Sequence, residues 1–444
     1  MITKEIKNVN GHSKKMGNKD YAYQIISTEE EFEATEEEWT ELTNHSGSKI
    51  FQTFDWQRIW WNYYGKGLEL NIVLIRKYEK LIGILPTFID SYQSFGKPVY
   101  RCLRFIGSTI MQPNDTKVAG FVAQAGYLDV IARSGYEDTV IKSVQEYLNN
   151  YCSEIHRIAF DEVPEDSLLH SVVDNLKQNQ AKYWNISLNK ASACPAIQFP
   201  ESWDQFLSNL SSNARYQIRR DVKKVYNSKK KLYDLKMIES AEEVITAYQT
   251  MVDYHQKRWN KRGLPGNYAN KSRYDFRKEV LKRFYELGYL QFQVLTPKDK
   301  PDEYLALDLL FNYKNKIYLI ERAFNGSADK SHMGFGNILL YSVLKEGMDN
   351  GAKEYDFLRG TESYKLRTAN HIGQNLQITF DRANNFKFGK KYLFELIQLR
   401  IEIKRRFNWE VAALQALALE KNYFRAGIQI AVTRFLQKWK KINS

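Results

Sequence analysis

The 444-residue chain holds 65 lysines and arginines against 52 aspartates and glutamates, a formal net charge of +13, with 43% hydrophobic and 26% charged residues. That length and composition predict two or three globular domains and exclude a largely disordered chain. The first 20 residues lack a signal-peptide core and no stretch nears the ~18 apolar residues of a membrane span. Cys102, Cys152 and Cys194 are scattered as reduced thiols would be, and no HExxH or paired-cysteine zinc spacing occurs, so a soluble, cytoplasmic, metal-free protein is expected.

Residues 1–20 read as a loose tail. Residues 28–64 read as helices, because Phe32, Leu42, Phe51, Phe54, Trp56, Ile59, Trp60 and Trp61 recur at near-helical spacing. Leu70–Arg76 and Leu81–Ile89 are two strand patterns about the polar turn Lys77–Lys80, a hairpin. Arg101–Gly107 and Tyr127–Ala132 are further strands, then a helix at Tyr136–Cys152 leads to a strand at Ile155–Phe160. The order recurs: strands at Tyr289–Leu295, Glu303–Tyr313 and Lys316–Phe324, a helix at Gly336–Asn350 and a strand at Glu354–Leu358.

Aligning Tyr127–Ala132 with Tyr318–Ala323 reads the halves as two diverged copies of one α/β unit, or else as two unrelated α/β domains with similar element order. The expected layout is a tail at 1–20, a first domain at 21–190 without cofactor, a second and catalytic domain at 191–386, and a helical tail at 387–444. The charge is local. Residues 211–236 hold nine basic and two acidic residues, and 387–444 hold thirteen basic and four acidic. Both blocks suit anionic partners or are simply solvated faces. In the tail, Ile428, Val432, Phe435 and Trp439 form an apolar stripe among cations, a helix able to lie on an anionic membrane or to pack on the catalytic domain.

Between strand and helix, Gly334-Phe-Gly336 opens a helix whose first amides converge without side chains in the way. Downstream lies Asp356-Phe-Leu-Arg-Gly360-Thr-Glu-Ser-Tyr364-Lys365. Upstream lie Tyr254-His-Gln-Lys-Arg-Trp259 with Arg262-Gly263, and Ser212-Asn-Ala-Arg215-Tyr-Gln-Ile-Arg219-Arg220. Phe51-Gln-Thr-Phe-Asp-Trp56 and Ile82-Gly-Ile-Leu-Pro86 extend the match to the first half. Together these resemble the GNAT acyltransferases, in particular the CelD/BcsL-type branch associated with bacterial envelope and exopolysaccharide genes. The resemblance implies tandem GNAT-like mixed-sheet α/β domains. It also implies acyl-CoA as substrate, with the coenzyme A pyrophosphate on Gly334, Phe335, Gly336 and Asn337. Ser331 stands where the family has Gln or Arg, leaving Lys330 or His332 to help.

The resemblance further implies a splayed strand exposing a backbone amide within Glu321–Phe324 to the thioester carbonyl. His255 is the first choice of general base, since imidazole titrates near neutrality, or else a helix histidine on a polar face beside Arg258. Glu321, in an apolar strand, is the second choice, its pKa raised by desolvation, or else a salt-bridge partner. Tyr364 is placed to protonate the leaving thiolate and Lys365 to hold phosphate or substrate, or both close the sheet end. Asp356 and Asp308 read as paired strand carboxylates, with amine recognition open for Asp356. Arg215, Arg219 and Arg220 share a helical face suited to phosphate, or to solvent. The acceptor is an amine or hydroxyl, and nucleic acid is disfavoured. Two other readings are a FemABX-like aminoacyl-tRNA-dependent transferase and a non-enzymatic membrane-surface protein.

Overall fold

The computed structural model describes residues 21–94, 97–110, 125–150, 152–178, 184–326 and 334–382, with 396, 399 and 403. The expected tail at 1–20, nearly all of the tail at 387–444, and Lys330, Ser331 and His332 lie outside the described residues. The rest divides into two compact units. The first runs to Ala193 and takes in the chain again from Gly373; the second spans Cys194–Ile372.

The first unit begins with β1 (Tyr21–Ile26), the helices α1 (Glu29–Glu33), α2 (Glu36–Asn44) and α3 (Phe54–Tyr64), then β2 (Glu69–Lys77), β3 (Lys80–Ser94) and β4 (Lys97–Phe105). It continues with β5 (Ile131–Ala132), α4 (Glu137–Asn150), β6 (Arg157–Pro164), α5 (Leu168–Gln178) and the start of β7 (Trp184–Gln198). The second unit holds α6 (Trp203–Ser208), α7 (Ser212–Tyr226), β8 (Tyr233–Met237), α8 (Ala241–Asn260), α9 (Lys271–Glu286), β9 (Leu290–Pro297), β10 (Ala306–Tyr313) and β11 (Lys316–Phe324). It ends with α10 (Phe335–Asp349), β12 (Glu354–Asp356) and α11 (Ser363–Leu366), before β13 (His371–Arg382).

The two units repeat one topology. In the first, β1, β2, β3 and β4 pair antiparallel in order and β6 joins β4 in parallel. In the second, β8, β9, β10 and β11 pair antiparallel in order and β12 joins β11 in parallel. Helices enter at the same points, so each unit is a mixed α/β sheet of one design.

The structure corrects the alignment of the copies. The counterpart of β11 is β4, not Tyr127–Ala132, of which only Ile131–Ala132 is a strand, against Gly83–Ile84. Tyr127 sits at φ 56°, and Asp129 accepts the Leu168 and Leu169 amides at 2.9 and 3.0 Å, so this segment caps α5 instead of pairing along a strand. The second domain also closes earlier than 386. From Asn375 to Asp381 the chain pairs with β6, and Asp381 receives the Arg157 guanidinium at 2.6 and 2.9 Å.

Two helices position the site. In α8, Val244, Ala247, Tyr248, Met251, Val252 and His255 are buried, a stripe at helical spacing that lays this face on the sheet. Ser240 caps its start by accepting the Glu243 amide. By contrast, α10 is buried nearly all round, from Phe335 through Ile338–Leu344 to Gly347, as suits a helix packed between sheet and α7.

Candidate functional site

β11 is paired with β10 along its length, from Lys316 opposite Tyr313 to Phe324 opposite Ala306. Its other ladder, to β12, covers only Lys316–Tyr318 against Glu354–Asp356. There the chain turns away. Asp356 accepts the Leu358 amide at 2.7 Å and pairs with Lys316 at 2.8 Å, and the Phe357 amide bonds to the Pro195 carbonyl at 3.0 Å. Along Leu319–Phe324 one side of β11 thus has no partner strand among the described residues. A bulge at Ile320, between the pairs Leu309–Glu321 and Leu310–Leu319, re-aims the strand where the ladder ends.

Glu321, just past the bulge, meets α8. His255 is 4% exposed, on the buried face of α8 and not on a polar one, with its Nε2 3.6 Å from Glu321 Oε1. Tyr268 donates its hydroxyl to Glu321 Oε2, whereas Oε1 is enclosed and has no hydrogen-bond partner. Gln256 orients the imidazole. Its Nε2 donates to the Pro265 carbonyl at 2.9 Å and its Oε1 accepts the Tyr268 amide at 3.2 Å, so Oε1 also faces His255 Nδ1, at 3.3 Å. That assigns the neutral imidazole's proton to Nδ1 and leaves the Nε2 lone pair toward Glu321. Burial lowers the His255 pKa, outweighing the pull of Glu321, so the ring is neutral near pH 7. Burial, then the Glu321 charge, pushes the Tyr268 phenol well above its usual range, so it stays a donor.

The loop carrying Tyr268 depends on Gly266, at φ 70°, where a Cβ would stand 2.1 Å from Gln256 Oε1. Sequence reasoning missed Tyr268 and Gln256. The only local signal was the Gly263-Leu-Pro-Gly266-Asn-Tyr268 run, which predicts a turn but not which side chain it delivers.

Next along β11, Arg322 points to the opposite face and grips Asp308 through Nε, at 2.6 Å, and a second nitrogen. Its guanidinium lies 5.5 Å from the Tyr364 ring centroid. The start of α10 is at the same strand end. Gly334 caps the helix at φ 70°. A Cβ on Gly336 would lie 3.6 Å from Arg322 Cδ and 3.7 Å from Phe324 Cδ1, ordinary contacts that do not demand glycine for packing. Of the four amides expected to face an anion, that of Asn337 is used within the turn, donating to the Gly334 carbonyl at 2.8 Å. Phe335 and Gly336 carry first-turn amides that no intrahelical carbonyl can satisfy. This donor set, with a glycine and not a side chain at its second position, fits a phosphate group.

The remaining expected residues are placed as follows. Burial raises the Tyr364 pKa, keeping its hydroxyl protonated, and its ring packs on Phe357 at 6.1 Å. Lys365 is buried and braces the preceding loop, donating to the Arg359 carbonyl at 2.8 Å and pairing with Glu362 at 2.9 Å, so its ammonium is not directed to a phosphate. Asp356 is likewise engaged with Lys316 and the Leu358 amide. Arg215 is committed to the Leu207, Ser208 and Leu210 carbonyls at 2.9, 3.1 and 3.1 Å, which close the end of α6. Arg219 is exposed on α7. No group of three or more His, Cys, Asp or Glu among the described residues could hold a metal ion. No helix among them is long and apolar enough to cross a membrane.

The described residues of the first unit carry other groups at matching positions. Counted from the hairpin turn, the sixth residue of β11 is Glu321 and the sixth of β4 is Cys102, whose thiol burial pushes up to about 11. Ahead of α4, the Gly135 amide donates to Glu137 Oε2 at 2.8 Å, so the chain's own carboxylate sits at that helix start.

No curated protein sequence matches the chain. A solved structure of a conserved protein of unknown function from Bacteroides thetaiotaomicron is similar over 81% of this chain and 100% of its own, at 10% identity and a TM-score of 0.46. L-PGS from Bacillus licheniformis covers 84% and 97% at 11% identity and 0.46, and FemX covers 82% and 98% at 13% and 0.42. Residues 212–366, from α7 to α11, match the family model of the acetyltransferase (GNAT) domain, so the second unit carries the segment that is similar to that family.

Proposed function

We propose that the second unit transfers an acyl group from a coenzyme A thioester to an amine or hydroxyl acceptor. The observation that carries this reading is the convergence, at one end of β11, of an unpaired backbone edge, the buried His255–Glu321 pair and the amide-bearing start of α10. The match of 212–366 to the acetyltransferase (GNAT) domain supports it. Bound acyl-CoA would supply an activated acyl carbon, with its pyrophosphate held by the Phe335 and Gly336 amides.

The chain's own groups divide the work. His255 Nε2 takes the proton of the attacking amine. Glu321, 3.6 Å away, stabilises the imidazolium so formed, and Tyr268 holds the carboxylate in place. A backbone amide within Glu321–Phe324 steadies the oxygen on which negative charge develops. Tyr364, kept protonated by burial, gives a proton to the departing thiolate. On this reading the protein is of the CelD/BcsL type and acts in the cytoplasm on an envelope lipid or polysaccharide precursor, with the basic segment 387–444 at the inner face of the membrane.

A second donor, aminoacyl-tRNA, is favoured by one observation: Arg219, Arg220 and Lys223 are exposed on α7. The test is thiol release from acetyl- and longer acyl-CoAs by wild type and His255→Ala. The variant should release thiol at least ~100-fold more slowly with acyl-CoA affinity intact. Unchanged turnover moves the base elsewhere; no release by wild type with any acyl-CoA overturns the donor.

A further inference from the structure

Arg258 is a cation without an ion pair among the described residues. It lies one helical turn beyond His255 on α8, half-buried, with its guanidinium 5.5 Å from the Phe324 ring centroid and 6.0 Å from that of Trp259. Its Nε is enclosed and has no hydrogen-bond partner, and no carboxylate among the described residues forms an ion pair with it. The Trp259 indole N–H is enclosed and unpartnered as well. Arg262, exposed just past the end of the same helix, lies 5.9 Å from the Trp259 ring and is also without an ion pair among the described residues.

Two arginines of this unit show the matched case. Arg322 has both oxygens of Asp308, and Arg215 has three carbonyls. A half-buried guanidinium without an anion is costly, and here a second arginine adds like charge across one indole. Burial, and after it Arg262, disfavours the charged form of Arg258, outweighing the pull of Glu321. An incoming anion would relieve each of these costs, through planar, forked hydrogen bonds suited to carboxylate or phosphate.

We propose that Arg258, with Arg262 and the Trp259 N–H, binds an anionic group, a carboxylate or a phosphate ester, of the acyl acceptor. His255 and Arg258 are three residues apart on one helix and so share a face. An acceptor anchored by its anion at Arg258 brings an amine, a few bonds away, to His255 Nε2. The inference rests on the acyl-transfer reading and narrows its acceptor to small anionic amines or hydroxyl compounds and to larger molecules ending in such a group.

The test uses the full chain and matched probes: O-phosphoethanolamine against ethanolamine, and β-alanine against propylamine. Binding is measured calorimetrically for wild type, Arg258→Gln and Arg258→Lys, each with and without saturating coenzyme A. Wild type should bind the anionic member of at least one pair ten times more tightly or better. Arg258→Gln should erase the difference, Arg258→Lys should keep part of it, and coenzyme A should leave it unchanged. Equal or undetectable binding of both members by wild type overturns the proposal, as does undiminished preference in Arg258→Gln. Competition by coenzyme A also overturns it, by assigning Arg258 to the acyl donor. If Arg258→Gln does not fold, Arg262→Gln, at an exposed position, carries the same comparison. Failure of coenzyme A itself to bind would sink the donor reading while the coenzyme-free arm still decides the anion site.

Discussion

Replacing Gly336 by alanine separates a glycine kept for packing from one kept for a ligand. The added methyl would meet Arg322 Cδ at 3.6 Å and Phe324 Cδ1 at 3.7 Å, both ordinary van der Waals distances. Alanine is favoured over glycine in a helix interior by up to ~1 kcal/mol, and less in a first turn. The unliganded variant should therefore be as stable as wild type or slightly more so, a rise of at most about 2–4 °C for a unit of this size. The same methyl stands beside the amide that the proposed phosphate approaches. Losing one charge-assisted hydrogen bond costs ~1.5–3 kcal/mol, roughly ten- to hundredfold in affinity. Thermal melts without ligand and calorimetric titration with coenzyme A give both quantities. Gly334→Ala is the contrast, since φ 70° makes it costly by ~1–2 kcal/mol before any ligand is added. The reasoning is refuted if Gly336→Ala melts several degrees lower than wild type, or if it binds coenzyme A undiminished.

Asp308→Ala leaves the sheltered Arg322 guanidinium without its carboxylate and should cost about 3–5 kcal/mol in urea melts. The double change Asp308→Ala with Arg322→Met should recover most of that, and a single-variant loss below ~1 kcal/mol contradicts the pairing. His255 has a lowered pKa in the folded state, so the unfolded chain binds that proton first. Its contribution is fully present above the unfolded value of about 6.5 and is lost as pH falls through the folded value. Wild type should therefore lose melting temperature more steeply than His255→Gln below pH 6.5, and parallel curves would refute the assignment. Thiol release should show an acid limb in the same range, absent from a reaction that does not need the neutral imidazole.

Much of the frame was visible in the residues. The β2–β3 and β10–β11 hairpins are strongly apolar runs about short polar turns, and the repeated order of strands, helix and strand exposed the duplication. What escaped were strands whose alternation is short or starts late. Tyr233-Asp-Leu-Lys-Met237 alternates over five residues only, just after a lysine run, and His371–Arg382 alternates only from Leu376, after a polar start with a glycine, so neither stands out from its loop-like surroundings. In the site, Glu321 stood out as a charge in an apolar strand and His255 as a titratable group at neutral pH. Their meeting depends on the bulge at Ile320 and on the last turn of α8, which no local pattern encodes. For Lys365 and Arg215 the sequence leaves an anion contact and a structural role both open, because a long cationic side chain looks the same in sequence whether it faces a ligand or braces carbonyls of its own fold.

The most direct measurement is a calorimetric titration of the full chain with coenzyme A, beside acyl-CoAs of graded length and tRNA. The account predicts saturable binding of coenzyme A and acyl-CoA at one site per chain. The first unit's own Glu137 sits at the start of α4, whereas the first turn of α10 holds no acidic residue, and Glu321 stands where the first unit has Cys102. Two sites per chain would contradict the division of labour between the units. Binding of tRNA alone, with no heat from any coenzyme A species, would contradict the central claim.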